Sequence, residues 1–226
     1  MKKLAIIVAG GIGSRFGDDI PKQFHLLKGK PVLAYSIAAF YNYDPTIEIL
    51  VVLPREHFTY WEKLKMEYRI NIPHKLVAGG PSRFHSVKGA LDHVPSDAVV
   101  AIHDGVRPLV PVTVIENVYQ QALEHKAAYP VVPVVDTLRM MNRSKMKSKI
   151  VNREDFMLVQ TPQAFRSSIL LKAYEQDYSK DFTDDVSVVE NDRLVPAVMV
   201  EGSPENIKIT RPFDLALAET ILKCKT

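Results

Sequence analysis

Cysteine is almost missing from this chain of 226 residues: Cys224 stands alone, which excludes a disulfide framework and a cysteine-built metal cluster. An excess of one charge is missing too. The 29 Lys and Arg face 26 Asp and Glu, too even a balance for holding nucleic acid by bulk electrostatics. No apolar run approaches the ~18 residues of a membrane span. The one stretch that looks like a secretory core, Leu4 to Ala9 behind Lys2 and Lys3, runs straight into Gly10, Gly11, Gly13 and Arg15. A signal peptide needs about 7–15 apolar residues and a small-residue cleavage site instead. These absences predict no nucleic-acid partner, no membrane association and a reducing, cytoplasmic setting.

What is present is ample core material, with a hydrophobic fraction of 46%, well above that of a disordered chain. Apolar runs at Leu4–Ala9, Glu48–Leu53, Lys75–Ala78, Ala98–Ile102 and Tyr129–Val134 read as strands. Between them lie helix-length amphipathic segments near Val32–Tyr41, Glu56–Tyr68, Ser82–Asp92 and Pro111–His125, the last opening on a proline, which suits a helix start. Strands without polar alternation, spaced by helices, predict an α/β fold with a parallel sheet covered on both faces. Its ligand is expected at the carboxyl ends of the strands. Further helices are expected near Ser167–Tyr178, Thr183–Glu190 and Pro212–Leu222, and a strand near Pro196–Val200. Between Val135 and Phe156 two extended segments flank the basic turn Asn142-Arg143-Ser144-Lys145-Met146-Lys147-Ser148-Lys149. That pattern fits either a solvated hairpin or a protruding functional arm. No linker or internal repeat divides the chain.

Four clusters carry chemistry. The first follows the first strand: Gly10-Gly11-Ile12-Gly13-Ser14-Arg15, then Pro21-Lys22-Gln23-Phe24. Glycines let the backbone approach a ligand with its N–H groups turned inward, and Arg15 and Lys22 add two cations, so the loop suits a polyphosphate. It is not a P-loop, because Gly17 is followed by Asp18-Asp19. The dinucleotide fingerprint is a nearer miss: Gly11-x-Gly13 is present, but Gly17 comes one residue late and Leu53-Pro54-Arg55 lacks the acid. The second cluster, Gly79-Gly80-Pro81-Ser82-Arg83-Phe84-His85-Ser86, opens a helix that either is simply capped by Ser82 or holds a base, ribose or phosphate. The third, His103-Asp104-Gly105-Val106-Arg107-Pro108, ends a strand where α/β ligands bind. There Asp104 could orient a hydroxyl or approach a metal and Arg107 meet a phosphate, or the two could pair to close a turn. His103 and His85 lack metal-ligand spacing and read as structural. The fourth gathers Thr161-Pro162-Gln163, Thr183-Asp184-Asp185, and Lys208 within Asn206-Ile207-Lys208-Ile209-Thr210; Thr183 reads most simply as a helix cap.

Taken together, AGGIGSRFG…PKQF, GKPVL, HDGVRPL, DTL, QTPQAF, TDDVSVVE and NIKIT resemble, from end to end, the 2-C-methyl-D-erythritol 4-phosphate cytidylyltransferases of isoprenoid biosynthesis. The resemblance implies a Rossmann-like nucleotidyltransferase fold in a single domain over 1–226, with a mostly parallel sheet and a protruding β-arm at about 135–156. It implies CTP and a polyol phosphate as substrates, a divalent cation such as Mg2+, and a homodimer formed through the arm. By motif, Arg15 and Lys22 would be catalytic, stabilising the α-phosphate. Ala9, Gly10, Gly11, Ile12, Gly13, Gly80, Arg83 and Ser86 would surround the nucleotide. Asp104, Arg107, Thr161, Thr183 and Lys208 would line the sugar-phosphate site, with Thr137 and Arg153 reaching it from a neighbouring subunit. No metal ligand is assigned beyond Asp104 as a weak candidate.

Two departures bear on the substrate. The family more often has two alanines before a single glycine where this chain has Ala9-Gly10-Gly11, a version similar to the ribitol-5-phosphate cytidylyltransferases. Pro81 replaces a commonly polar or acidic residue, and no role is carried over to it. Ser86-Val87, Asp136-Thr137-Leu138 and Asp184-Asp185-Val186-Ser187 favour the methylerythritol substrate. An NAD(P)-dependent oxidoreductase, suggested by Gly11-x-Gly13, and a nucleotide-binding regulator that has lost the reaction are the remaining alternatives.

Overall fold

The computed structural model describes residues 1–11, 20–142, 144–192 and 195–224. In chain order, β1 (Lys2–Val8) leads through a turn of 3-10 helix at Lys22–Phe24 and a small hairpin, β2 (Leu26–Leu27) and β3 (Lys30–Pro31), into α1 (Val32–Tyr43). There follow β4 (Glu48–Leu53), α2 (Phe58–Glu67), β5 (Lys75–Ala78), α3 (Arg83–Leu91), β6 (Ala98–Asp104), α4 (Val112–His125) and β7 (Ala127–Pro133). A second hairpin, β8 (Arg139–Asn142) and β9 (Lys147–Ile150), precedes β10 (Met157–Val159), β11 (Gln163–Arg166), α5 (Ser167–Ala173), α6 (Asp185–Asn191), β12 (Val198–Glu201) and α7 (Pro212–Cys224).

The period-two geometry of a strand explains the layering. Leu4 and Ile6 of β1 pack on one face, Ala5 and Ile7 on the other, and all four are fully buried. One face collects α1, α2 and α4 through Ile37, Phe40, Trp61, Ile115 and Tyr119. The opposite face collects α3, α5 and α6 through Phe84, Val87, Leu170, Tyr174 and Val188. At about 1.5–3 kcal/mol for each large apolar side chain buried, two such layers dominate the forces that hold the sheet.

The main sheet runs β10-β7-β11-β6-β1-β4-β5, with β12 also on β7. β5, β4, β1 and β6 are mutually parallel, and β12 is parallel to β7. The sheet is mostly parallel, as expected, with its antiparallel part where β11 lies between β6 and β7 and β10 continues antiparallel along β7. The four residues Gln163-Ala164-Phe165-Arg166 are too short and mixed to announce a strand. They form one because Ala164 and Phe165 fill the gap between two longer strands and are completely buried there. The helix expected near Ser167–Tyr178 stops at Ala173, where Gln176 Nε2 donates to the carbonyls of Ala173 (2.6 Å) and Val188 (2.8 Å) and turns the chain toward α6. Residues 135–156 do form a hairpin, and every residue of β8 and β9 is exposed.

Candidate active site

Three loops leave the sheet at neighbouring carboxyl ends, each extending the ladder by one hydrogen bond. Ala9 N–H donates to Val52 (2.9 Å), Gly79 N–H to Leu53 (2.8 Å) and Gly105 N–H to Val8 (2.8 Å). This is where a doubly covered α/β sheet binds its ligand. The described residues of the first three clusters meet here.

The first cleft, about 230 Å³, is lined by Ala9, Gly10, Gly11, Lys22, Gln23, Gly80, Arg83, Ser86, Asp104 and Lys208 among others. Phe24 anchors the Lys22 turn in the core, nearly fully buried, stacking on Trp61 at 6.2 Å and meeting Tyr60 edge-on at 5.2 Å. The adjoining Gln23 donates through Nε2 to the Ala9 carbonyl (2.8 Å), tying the Lys22 turn to the end of β1. The stem of Lys22 lies over Gly11, whose added Cβ would stand 3.6 Å from Lys22 Cε. On the opposite wall Ser86 Oγ accepts from Gly80 N–H (3.0 Å). Gly80 is needed there, since a Cβ would come within 2.6 Å of His85 Cβ. Ser82 is the N-cap of α3, its hydroxyl accepting from His85 N–H. Ile12, Gly13 and Arg15 lie outside the described residues.

The second cleft, about 220 Å³, shares Arg83, Asp104 and Lys208 with the first and adds Arg107, Gln160, Thr161, Gln163, Thr183 and Asp184. Asp104 is its electrostatic centre. Its carboxylate lies 2.9 Å from Lys208 Nζ, 3.3 Å from Arg107 Nε and 3.8 Å from Arg83 Nε. Burial alone would raise this carboxyl, but Lys208, Arg83 and Arg107 together hold it well below the usual carboxylate range. The pairing of Asp104 with Arg107 across a turn is therefore real, and both groups still face the cleft.

Buried polar groups fix these charges. Asn206 accepts Arg107 Nη1 on its carbonyl (2.7 Å) and donates through Nδ2 to the Thr161 carbonyl (2.8 Å). Gln163 Oε1 accepts the N–H groups of Asp185 (2.9 Å) and Val186 (3.0 Å), while its Nε2 donates to Asp184 (2.8 Å). Asp185 binds the Arg83 guanidinium with both oxygens, at 2.7 and 2.6 Å, and accepts from Tyr174 Oη (2.7 Å). Arg83 is thereby locked between α3 and α6, a structural pairing its sequence assignment to the nucleotide does not contain. The cap of α6 is corrected as well: Asp184, not Thr183, occupies it, in a capping box with Ser187. Thr183 stands exposed on the rim of the second cleft. The signal that was available for these positioning residues is their polarity inside otherwise apolar or capping strings.

Thr137 and Arg153 are not brought to either cleft within the chain. They line a separate hollow at the base of the hairpin with Leu138, Ile150, Val151 and Asn152, and Arg153 donates to the Val135 carbonyl.

Comparison with known proteins agrees with this geometry. The family profile described as 2-C-methyl-D-erythritol 4-phosphate cytidylyltransferase matches residues 3–224. A relative of that name from Azobacteroides pseudotrichonymphae is 49% identical over 98% of this chain and 99% of its own, and one from Bacteroides fragilis is 48% identical over 98% and 100%. Among solved structures, the 2-C-methyl-D-erythritol 4-phosphate cytidylyltransferase of Thermus thermophilus superposes with a TM-score of 0.79 at 30% identity, covering 99% of this chain and 100% of that one. The Francisella tularensis protein gives 0.79 at 31% identity, covering 97% and 99%.

Proposed function

The chain belongs to the 2-C-methyl-D-erythritol 4-phosphate cytidylyltransferase family, and from that premise we propose that it transfers CMP from CTP to the phosphate of 2-C-methyl-D-erythritol 4-phosphate, releasing pyrophosphate. The observation that carries the reading is the common wall of the two clefts. Arg83, Asp104 and Lys208 face both, so a nucleotide in the first and a polyol phosphate in the second would meet across shared charge. An oxygen of the acceptor phosphate attacks the α-phosphorus of CTP. The new O–P bond forms as the bond to the β-phosphate oxygen breaks, and the pyrophosphate takes the electron pair. Catalysis of such a transfer is positioning plus charge stabilisation. Lys22, against Gly11 in the first cleft, and Arg15 are the cations we assign to the α-phosphate. Ala9 to Gly13, Gly80 and Ser86 hold the nucleotide, with Arg83 at the shared wall. Arg107, Thr161, Thr183, Lys208 and Asp104 hold the acceptor.

A divalent cation such as Mg2+, when bound, would supply charge neutralisation to the triphosphate. Among the described residues no three His, Cys, Asp or Glu side chains gather into a metal-holding group, and Asp104 already faces three cations. Because Mg2+ dehydrates reluctantly, it would be held mostly by the triphosphate and water.

The whole chain acts as one nucleotidyltransferase domain in a homodimer joined through the 135–156 arm. Exposed Met140, Met141, Ile150, Leu158 and Val159 support that interface, and Thr137 and Arg153 then serve the neighbouring subunit's second cleft. Among the described residues no helix is long and apolar enough to cross a membrane, and we place the enzyme in the cytoplasm. The deciding experiment is pyrophosphate release with CTP and magnesium, offering 2-C-methyl-D-erythritol 4-phosphate and ribitol 5-phosphate in parallel. Release with the first alone is expected. Release with ribitol 5-phosphate alone would keep the nucleotide chemistry and overturn the acceptor.

A further inference from the structure

Asp104 and Arg107 do not hold their own positions. The turn that carries them is closed by Arg107 N–H on the Asp104 carbonyl (3.0 Å), and its remaining polar groups at each end are met by one side-chain pair. At the entrance, Asp104 N–H donates to Thr161 Oγ1 (3.0 Å). At the exit, the Arg107 carbonyl lies 3.0 Å from His103 Nε2. The two partners meet each other, Thr161 Oγ1 standing 3.1 Å from His103 Nδ1. His103 has no solvent exposure and packs edge-on against Phe40 with ring centroids 5.2 Å apart.

Counting protons fixes the direction of every bond. The Arg107 carbonyl can only accept, so His103 Nε2 carries a hydrogen. Burial pushes the imidazole down to about 4, so the ring is neutral at pH 7 and its Nδ1 is bare. Thr161 then accepts from Asp104 N–H and donates its single proton to Nδ1. Its hydroxyl proton is turned inward, toward the ring.

We propose that His103 is a positioning residue for the acceptor cleft, clamping the Arg107 carbonyl through Nε2–H and drawing the Thr161 hydroxyl through Nδ1 so that both ends of the Asp104–Arg107 turn are fixed. The proposal rests on the reading of the second cleft as the polyol-phosphate site. A His that merely fills space would affect both substrates alike, whereas a clamp that sets Arg107 and Thr161, which line only the second cleft, weakens the acceptor far more than the nucleotide.

Two measurements test it. Imidazole 15N chemical shifts of the wild-type protein identify the tautomer without any substrate; protonated Nε2 with bare Nδ1 is expected, and Nδ1–H would overturn the clamp. Steady-state kinetics then compare His103→Leu, which loses both ends, with His103→Gln, whose amide reaches the Nε2 position. In His103→Leu the KM for 2-C-methyl-D-erythritol 4-phosphate should rise about tenfold or more with the KM for CTP within about twofold, and His103→Gln should recover most of the loss. Equal rises in both KM values, or no recovery in His103→Gln, would reduce the residue to packing. If His103→Leu does not fold, His103→Asn, which retains only the Nδ1-side acceptor, replaces it with the same expectation. Should wild-type enzyme accept ribitol 5-phosphate instead, the functional reading fails, and the same split read with that acceptor still decides the clamp.

Discussion

Asp185 grips both terminal nitrogens of Arg83 from a position with no solvent exposure, so its removal leaves a guanidinium short of its counter-charge. Breaking a buried pair by deleting one partner costs about 3–5 kcal/mol. Because the Arg83 side chain is 28% exposed and can reach water, Asp185→Ala should fall below that, at about 2 kcal/mol by chemical denaturation, and should also raise the KM for CTP. A loss under about 0.5 kcal/mol would show the pair to be solvated in effect. His103 makes a second residue-level prediction, on pH. Its folded-state value of about 4 lies below the ordinary 6.5, so the unfolded chain takes up the proton first. The stability this group contributes is complete above pH 6.5 and drains away as the pH falls toward 4, by at most about 3 kcal/mol. Urea titrations at pH 7 and pH 4.5 should therefore show a smaller drop for His103→Gln than for wild type; an identical drop would mean that another group governs the slope. The charged residues that meet the clefts were readable from the sequence because Asp104, Arg107 and Lys208 end or interrupt apolar strings at the edge of a sheet. Asp185, Gln163 and Asn206 stood in the fourth cluster without a role: Asp185, at a helix start, passes for part of a cap, and Gln163 and Asn206 show their purpose only through partners distant in the chain.

At the scale of elements, the hairpin β8–β9 is the part of the chain whose form and purpose separate. Its form was legible: a run of lysines between two extended segments has no core to enter, and all eight of its strand residues are exposed. Its proposed purpose reaches beyond one chain, because Thr137 and Arg153 line a hollow apart from both clefts. If they act on the neighbouring subunit, Arg153→Ala and Lys22→Ala are defects of different sites. Each homodimer should be nearly inactive, since losing a transition-state donor costs about 10²–10³-fold. In mixed dimers one site receives both an intact Lys22 and an intact Arg153, and part of the wild-type turnover should return. Verified heterodimers with no recovery would assign Arg153 to its own subunit or to no site. The parallel strands were legible because both faces of β1, β4 and β6 are apolar. β11 was hidden because a four-residue strand has no periodicity of its own and takes its structure from the neighbours it joins.

For the whole molecule, the issue is whether the fold and the reaction require the same assembly. Both helical layers pack on one continuous sheet within the chain, so the core closes without a second copy, and the proposed nucleotide cleft is lined from the same chain. The acceptor side needs a second copy, if the arm completes it. Replacing residues 139–150 with a short Gly-Ser turn separates the two requirements, because it removes Met140, Met141 and Ile150 while leaving Thr137 and Arg153 in the chain. The shortened protein should sediment as a monomer and keep a thermal midpoint close to wild type, since no described residue of the β8–β9 hairpin belongs to either core layer. CTP should still stabilise it, by about 2.7 kcal/mol at a hundredfold excess over Kd. Pyrophosphate release should nevertheless fall by about 10²-fold or more, because residues that must be presented by a partner are present but have no partner to serve. A monomer that turns over at the wild-type rate would place the complete site within one chain and leave the arm without a catalytic part.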